Sequence, residues 1–464
     1  MEIENIRETL MKYMRKNNMS YSRFSELSGI NSGTLSRVLQ GSRPISVRQL
    51  DSITKGMGLA EDFLFDAYVE ECFAFNVSMR RIRPFVLKCA VLGRLDCIER
   101  IVPPLLDNLS YVPAMFDVAE ELLASKHNQA AALIYRHVSE AEKYQHSERL
   151  ALCRYRLFLI NLGEDLEENM RAATQFEPYV NRLDEADQLE ALKQLMHVFG
   201  MVHKWEKVDA LAKEMHKVAT IQYDLQCRSE RSEEIQKRAE RPLYYYILYS
   251  YLARSTASEE CGDYKRALEF VDLYAGGKNW VQEKDEEAKR ILGQFSEWAV
   301  ANTLLYRLMS GEVEVLNEYA DYIASQEDEI FIAVSNMVKA ANLYELNIDS
   351  ILERFAAFIP YQSDKTDFGE YKPAILKESY AQFLGDLAVY RFNTNEDIDN
   401  AIELLLQSLN LSIIINSGKN IINCITLFEE YRDYADLQAK EKFKKLSSEV
   451  HRLAKKSVIL LGSL

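Results

Sequence analysis

Cysteine is scarce and scattered. The seven residues (Cys72, Cys89, Cys97, Cys153, Cys227, Cys261 and Cys424) are odd in number and include no C-x-x-C pair. That argues against a disulfide framework and a thiolate zinc site, and leaves small buried apolar residues as their reading. Glycine and proline are also few, 17 and 9 among 464 residues, which excludes collagen-like and low-complexity chains and disfavours a β-sandwich. No stretch approaches the roughly 18 apolar residues of a membrane-spanning helix. The opening "MEIENIRETL" carries acidic residues where a secretory signal needs a basic and then an apolar region. A cytoplasmic location without a membrane partner is expected.

Catalytic signatures are missing too. The chain has no G-x-x-x-x-G-K-[ST] phosphate loop, no G-x-G-x-x-G, no H-E-x-x-H and no G-x-S-x-G. Its histidines (His127, His137, His146, His197, His203, His216 and His451) show no metal-ligand spacing. Acidic pairs such as Glu259 with Glu260, or Glu429 with Glu430, read as solvated helix faces. Neither catalysis, nor a cofactor, nor a metal is expected.

What is present is helix-forming sequence. Hydrophobic residues make up 48% of the chain, with Leu, Ala, Glu and Lys recurring in long stretches, so the fold class is all-α. A chain of this length exceeds what one core supports, which implies several domains or a repeat array. The net charge is −15 but uneven. From Lys12 to Lys55 eight basic residues face Glu26 and Asp51, a balance of +6, whereas residues 67–464 hold 47 basic and 63 acidic side chains. The acidic bulk repels phosphate; the early basic patch attracts it.

That patch lies in a run of five short helices over about 65 residues. Ile3, Ile6, Leu10 and Tyr13 or Met14 keep helical spacing. Ser20 caps a second helix with Phe24 and Leu27 directed inward, and Gly29 supplies a turn. Asn31 or Ser32 caps a third helix with Leu35 and Val38 inward, ended by Gly41. Ser46 caps a fourth carrying Val47, Leu50 and Ile53, and "GMGLAEDFL" introduces a fifth. This is the helix-turn-helix plan.

Through F-S-E-L-S-G-I-N, T-L-S-R-V-L-Q-G, R-P-I-S and G-M-G-L, residues 3–65 resemble the Cro and repressor type of helix-turn-helix domain, the XRE family. The resemblance implies base-facing positions at Ser32, Gly33 and Arg37, with Thr34, Ser36 and Gln40 at the groove margin. It places Tyr21, Arg23, Ser42, Arg43 and Arg48 against phosphates, where they set register. Arg37 is the strongest base reader, because its fork can bond guanine O6 and N7 together. Gly33 departs from the long polar side chain often found there, which leaves fewer direct base contacts. The competing reading is a solvated helix face on a protein-binding module.

A helical linker is expected over 67–84 and a tetratricopeptide-like array over 85–464. Helical hairpins with small contact residues recur: Trp205, Val208, Ala212 and Met215; Tyr264, Ala267, Val271 and Tyr274; Ala401, Leu405 and Ser408, preceded by Leu384 and Gly385. "AVAN" ends at Asn302 and "AVSN" at Asn336, 34 residues apart, the period of such repeats. Asn302 and Asn336 should therefore occupy equivalent places on consecutive first helices, which line the concave side of a right-handed superhelix. A carboxamide both donates and accepts, so two of them one repeat apart suit the backbone of an extended peptide. Capping of local backbone is the plainer alternative. Tyr306 is either an aromatic wall of that groove or core, and most of "PLYYYILYSY", 242–251, reads as core.

A DNA-binding head followed by degenerate hairpins of this kind resembles the RRNPP family of cytoplasmic peptide-pheromone receptors, and within it the arbitrium and Alo-type receptors. The resemblance implies a homodimer on double-stranded operator DNA, controlled by a short signalling peptide in the concave groove. Two rivals stand beside it. One is a protein-interaction scaffold, as in the Rap-type phosphatase regulators; the other is an enzyme hidden in the array.

Overall fold

Side-chain caps begin the first helices. Asn5 accepts the Arg7 amide and opens α1 (Ile6–Lys16), and Ser20 accepts that of Arg23 and opens α2 (Tyr21–Ser28). Asn31 accepts that of Gly33 and opens α3 (Ser32–Leu39), and Ser46 forms a reciprocal capping box with Gln49 at the start of α4 (Val47–Gly56). Between α2 and α3 the chain turns through Gly29 at φ 69°, a left-handed conformation that glycine adopts without a Cβ clash. The computed structural model describes residues 5–145, 147–228, 239–359, 373–394 and 397–461, with backbone alone at 373–375 and 456–461. Among the described residues the regular elements are helices, with no strand, and no helix is long and apolar enough to cross a membrane. The chain is all-α.

Two compact units divide it, Met1–Ile160 and Asn161–Leu464. The first continues through α5 (Phe65–Phe73), α6 (Met79–Val91), α7 (Leu95–Leu106), α8 (Val112–Ala124), α9 (Asn128–Ala141) and α10 (Glu148–Asn161). The segment 67–84, expected as one helical linker, instead breaks between α5 and α6. There Arg81 turns inward and donates to the carbonyls of Glu71 and Asn76, at 3.2 and 2.7 Å, satisfying backbone oxygens that the end of α5 leaves open. A single apolar core then runs from Ile6 and Leu10 through Tyr68 and Phe85 to Tyr135 and Leu157. Two inward expectations fail in this unit or beside it. Leu27 is 47% exposed, because α2 is short and buries only Phe24. Of the cysteines, Cys227 and Cys261 are exposed and the other five buried, since these two lie in the last turn of a helix and just past the end of another.

A buried ion pair ties α1 to α5. Arg7 Nη1 and Nη2 donate to Glu71 Oε2 and Oε1 at 2.5 and 2.7 Å, and Arg7 Nε donates to the Val38 carbonyl at 2.8 Å. Glu71 also accepts the Ile45 amide at 3.0 Å, while the Tyr68 hydroxyl donates to the Ile45 carbonyl at 2.9 Å. The end of α3 and the loop after it are thus held by one charged group from each side.

In the second unit the helices are α11 (Leu166–Phe176), α12 (Glu185–Met201), α13 (Trp205–Arg228), α14 (Leu243–Glu260), α15 (Tyr264–Ala275), α16 (Glu286–Met309), α17 (Leu316–Ile323), α18 (Ile330–Tyr344), α19 (Asp349–Arg354), α20 (Pro373–Thr394), α21 (Ile398–Ile414), α22 (Gly418–Glu430) and α23 (Leu437–Leu461). Consecutive members pack as hairpins, α13 on α14, α14 on α15, α15 on α16 and α20 on α21. Alternate members, α14 with α16, α16 with α18 and α18 with α20, also meet. Small residues permit the approach: Ser408 is buried and donates to the Ala381 carbonyl at 2.6 Å, and a Cβ on Gly385 would stand 3.4 Å from its Oγ. Asn395 and Glu396, which open the stretch before α21, lie outside the described residues.

Candidate functional site

Two surfaces carry the residues singled out from the sequence. The first is the outer face of α3 and its surroundings. Ser32, Gly33, Arg37 and Gln40 are exposed, and Thr34 and Ser36 are half-buried, because Leu35, Val38 and Leu39 take the inner face. Tyr21, Arg23, Ser42, Arg43 and Arg48 are exposed around that helix. Local bonds already engage three of them. Arg37 Nε donates to the Gly33 carbonyl at 3.2 Å, the Ser42 hydroxyl to the Arg37 carbonyl at 3.1 Å, and Arg23 pairs with Glu26 at 3.0 Å on the exposed face of α2. Such an exposed pair contributes little and yields readily to a phosphate.

Beyond that face two arginines of the 67–84 segment, Arg81 and Arg83, are committed elsewhere. Arg83 pairs with Glu121 at 2.8 Å, and Arg81 is buried against backbone oxygens. Asp66, Asp96 and Cys97 offer ligand atoms within 4.8 Å of one another. However, the Arg94 guanidinium bonds Asp66 and Asp96 at 2.9 and 2.8 Å and holds the Asp96 carboxyl down to about 2, so a cationic group already balances that cluster.

The second surface is a cavity of about 640 Å³ in the second unit, walled by α12, α14, α16, α18 and α20 with contributions from α13 and α17. Asn302 on α16 and Asn336 on α18 both line it. Each is tied to a tyrosine of the preceding helix. Asn302 Nδ2 donates to the Tyr274 hydroxyl at 3.0 Å, and Asn336 bonds the Tyr319 hydroxyl. The 34-residue echo therefore corresponds to one repeated Asn–Tyr arrangement. With its amide hydrogen engaged, Asn302 keeps Oδ1 as an acceptor.

Tyr306 reaches the wall but is only 2% exposed, and its hydroxyl accepts from Ser255 at 3.0 Å. Its ring is core in the main. Tyr244, Tyr245 and Tyr246 are likewise buried, whereas Tyr249 lines the cavity and meets His197 Nε2 at 2.8 Å.

Sequence reasoning missed the charged lining. Lys193, Arg241 and Lys339 share the wall with Glu259, Glu260, Glu329 and Glu378. Glu329 accepts from Trp298 Nε1 at 3.0 Å, and Glu378 accepts from Gln382, which also meets His203 Nε2 at 2.8 Å. Glu259, expected on a solvated face, is half-buried in the cavity wall; burial, aided by Glu260, pushes its carboxyl up to about 7. On α20, burial raises Asp386 to about 6. The signal available in the sequence, adjacent acids at a helix end, cannot separate a solvent face from a cavity wall. No protein-family model, curated protein or solved structure matches the chain.

Proposed function

We propose that the protein is a ligand-controlled transcription regulator of the RRNPP kind. In this reading residues 1–66 are an XRE-type helix-turn-helix head that binds operator DNA as a dimer. The following hairpins form a right-handed tetratricopeptide-like superhelix that receives a short signalling peptide. The observation that carries the reading is the coexistence in one chain of the exposed Ser32–Arg37 face behind a left-handed Gly29 turn with a large cavity lined by Asn302 and Asn336. A groove of this volume suits a small ligand more than a folded partner surface, which favours a peptide receptor over an interaction scaffold.

In mechanism, Arg37 reads a base edge while Tyr21, Arg23, Arg43 and Arg48 fix register on the phosphates. The two heads of a dimer must fit half-sites about 34 Å apart. A superhelix converts small changes between successive hairpins into a larger change in head spacing, so a ligand that favours one curvature alters operator affinity.

The test is genome-wide capture of DNA bound to the protein, with and without short peptides encoded beside its gene. Discrete sites that strengthen or vanish with one peptide support the reading. Sites indifferent to all such peptides turn it toward a scaffold, and absence of discrete sites removes the operator. The double variant Asn302→Ala, Asn336→Ala should lose the peptide response; a normal response would take both residues out of the site.

A further inference from the structure

We propose that the outer face of α23 binds the phosphate backbone of a double-stranded nucleic acid, as a surface separate from the helix-turn-helix face. The inference goes beyond the reading above, since it needs neither an operator nor a peptide.

Charge sets this helix apart from its surroundings. Residues 437–455 carry Lys440, Lys442, Lys444, Lys445, Arg452 and Lys455 against Glu441 and Glu449, a balance of +4, whereas residues 67–436 hold 40 basic and 61 acidic side chains. Phe443 and Leu446 are buried, and Val450 and Leu453 pack beside them on the core that α21 and α22 build. At 3.6 residues per turn, that seam turns Lys444, Lys445, Arg452 and Lys455 away from the core, with Glu441 the one carboxylate among them. All four cations are exposed, and none has an ion-pair partner among the described residues. Elsewhere surface cations do find acids, as Lys207 finds Glu177 and Arg354 finds Asp321, each at 2.6 Å. The helix dipole does not account for the row either, because Lys444 and Lys445 stand in the first half of α23, where it offers a cation no stabilisation.

The chemistry of the face selects its occupant. A double helix carries one phosphate per about 1.7 Å of its axis, so the roughly 17 Å of helix from Lys444 to Lys455 faces about ten of them. The Debye length is about 8 Å at physiological salt, so a phosphate on this face meets the unpaired cations while the more distant acids are screened. Single strands are held on aromatic platforms, and the outward side of the described helix carries no Phe, Tyr or Trp, Phe443 being buried. An interfacial membrane helix needs its apolar side free, whereas that side of α23 is packed on the core. A second copy pairing through the same face would set lysine against lysine. A rigid, linear polyanion fits what is left.

The experiment is a fluorescence-anisotropy titration of a random-sequence DNA duplex of about 40 base pairs with the full-length protein, at salt concentrations from about 50 to 200 mM. Each phosphate contact contributes about 0.9 to the slope of log affinity against log salt. Lys444→Gln, Lys445→Gln, Arg452→Gln and Lys455→Gln together should therefore lower that slope by about 2–4 and weaken binding at low salt by about tenfold or more. Lys444→Arg, Lys445→Arg and Lys455→Arg together, which keep the charge, should retain the slope. So should a control with the same charge change elsewhere, Gln at the exposed Lys204, Lys217, Lys265 and Lys278. Arg23→Gln with Arg43→Gln and Arg48→Gln removes phosphate contacts of the head alone; no loss in that variant counts against the head, and no loss in the α23 variant counts against this proposal. An unchanged slope in the α23 variant, or an equal fall in the control, overturns it. Binding to phosphatidylserine vesicles that depends on the four cations, with the duplex indifferent to them, overturns it too and makes the face a membrane contact.

Discussion

Replacing Glu71 with alanine tests the tie between α1, the end of α3 and α5. The carboxylate accepts two bonds from Arg7, at 2.5 and 2.7 Å, and one from the Ile45 amide at 3.0 Å, with both side chains at most 10% exposed. Its removal strands a buried guanidinium that keeps the carbonyls of Val38 and Arg43 but no counter-charge. Breaking one side of a buried pair costs about 3–5 kcal/mol. The orphaned amide belongs to the same network, so the losses do not simply add. A total near 4 kcal/mol corresponds to roughly a thousandfold in local opening. Hydrogen exchange read by mass spectrometry over residues 36–47 reports that opening without requiring the two units to unfold together. Acceleration by two to three decades is expected in Glu71→Ala, and a smaller one in Arg7→Met with Glu71→Leu, where no buried charge is stranded but the Val38 carbonyl and Ile45 amide still lose their partners. Exchange in Glu71→Ala within threefold of the wild type would refute the network as the fastening of α3.

Gly56→Ala should destabilise the first unit by about 1–3 kcal/mol, because the new Cβ would stand 2.9 Å from Ser28 Cβ and 3.1 Å from Phe24 Cζ; exchange protection in α2 and α4 reports it. Arg37→Ala should cost about 1–3 kcal/mol on the operator and relax one base preference, while an equal loss on random DNA would place Arg37 on the backbone instead. Glu259 contributes a pH dependence of stability whose sign follows from its raised folded value of about 7 against the ordinary 4.5. Between those values the folded state binds more protons, so the penalty is absent at pH 4 and fully present above pH 7. Glu259→Gln should accordingly raise the thermal midpoint at pH 8 and leave it nearly unchanged at pH 4.

The local features of the first unit were legible in the chain because their causes are local. Ser20, Asn31 and Ser46 cap helices through amides two or three residues away, and Gly29 turns where a left-handed residue is required. The all-helical class followed from composition and periodicity, and the 34-residue echo placed Asn302 and Asn336 on one wall. Periodicity says which residues share a face but not what that face meets.

Tertiary structure alone decided the rest. Arg7 meets Glu71 across 64 positions of sequence, Asn302 meets Tyr274 across 28, and neither pairing leaves a spacing to read. Leu27 faces solvent because the short α2 buries only Phe24, and the Glu259 carboxyl is pushed up by burial that no spacing in the chain announces. The sequence determined where helices begin, which sides of them are apolar and where charge is concentrated. Only packing fixed which of those charges lost their water, because desolvation depends on neighbours far away in the chain.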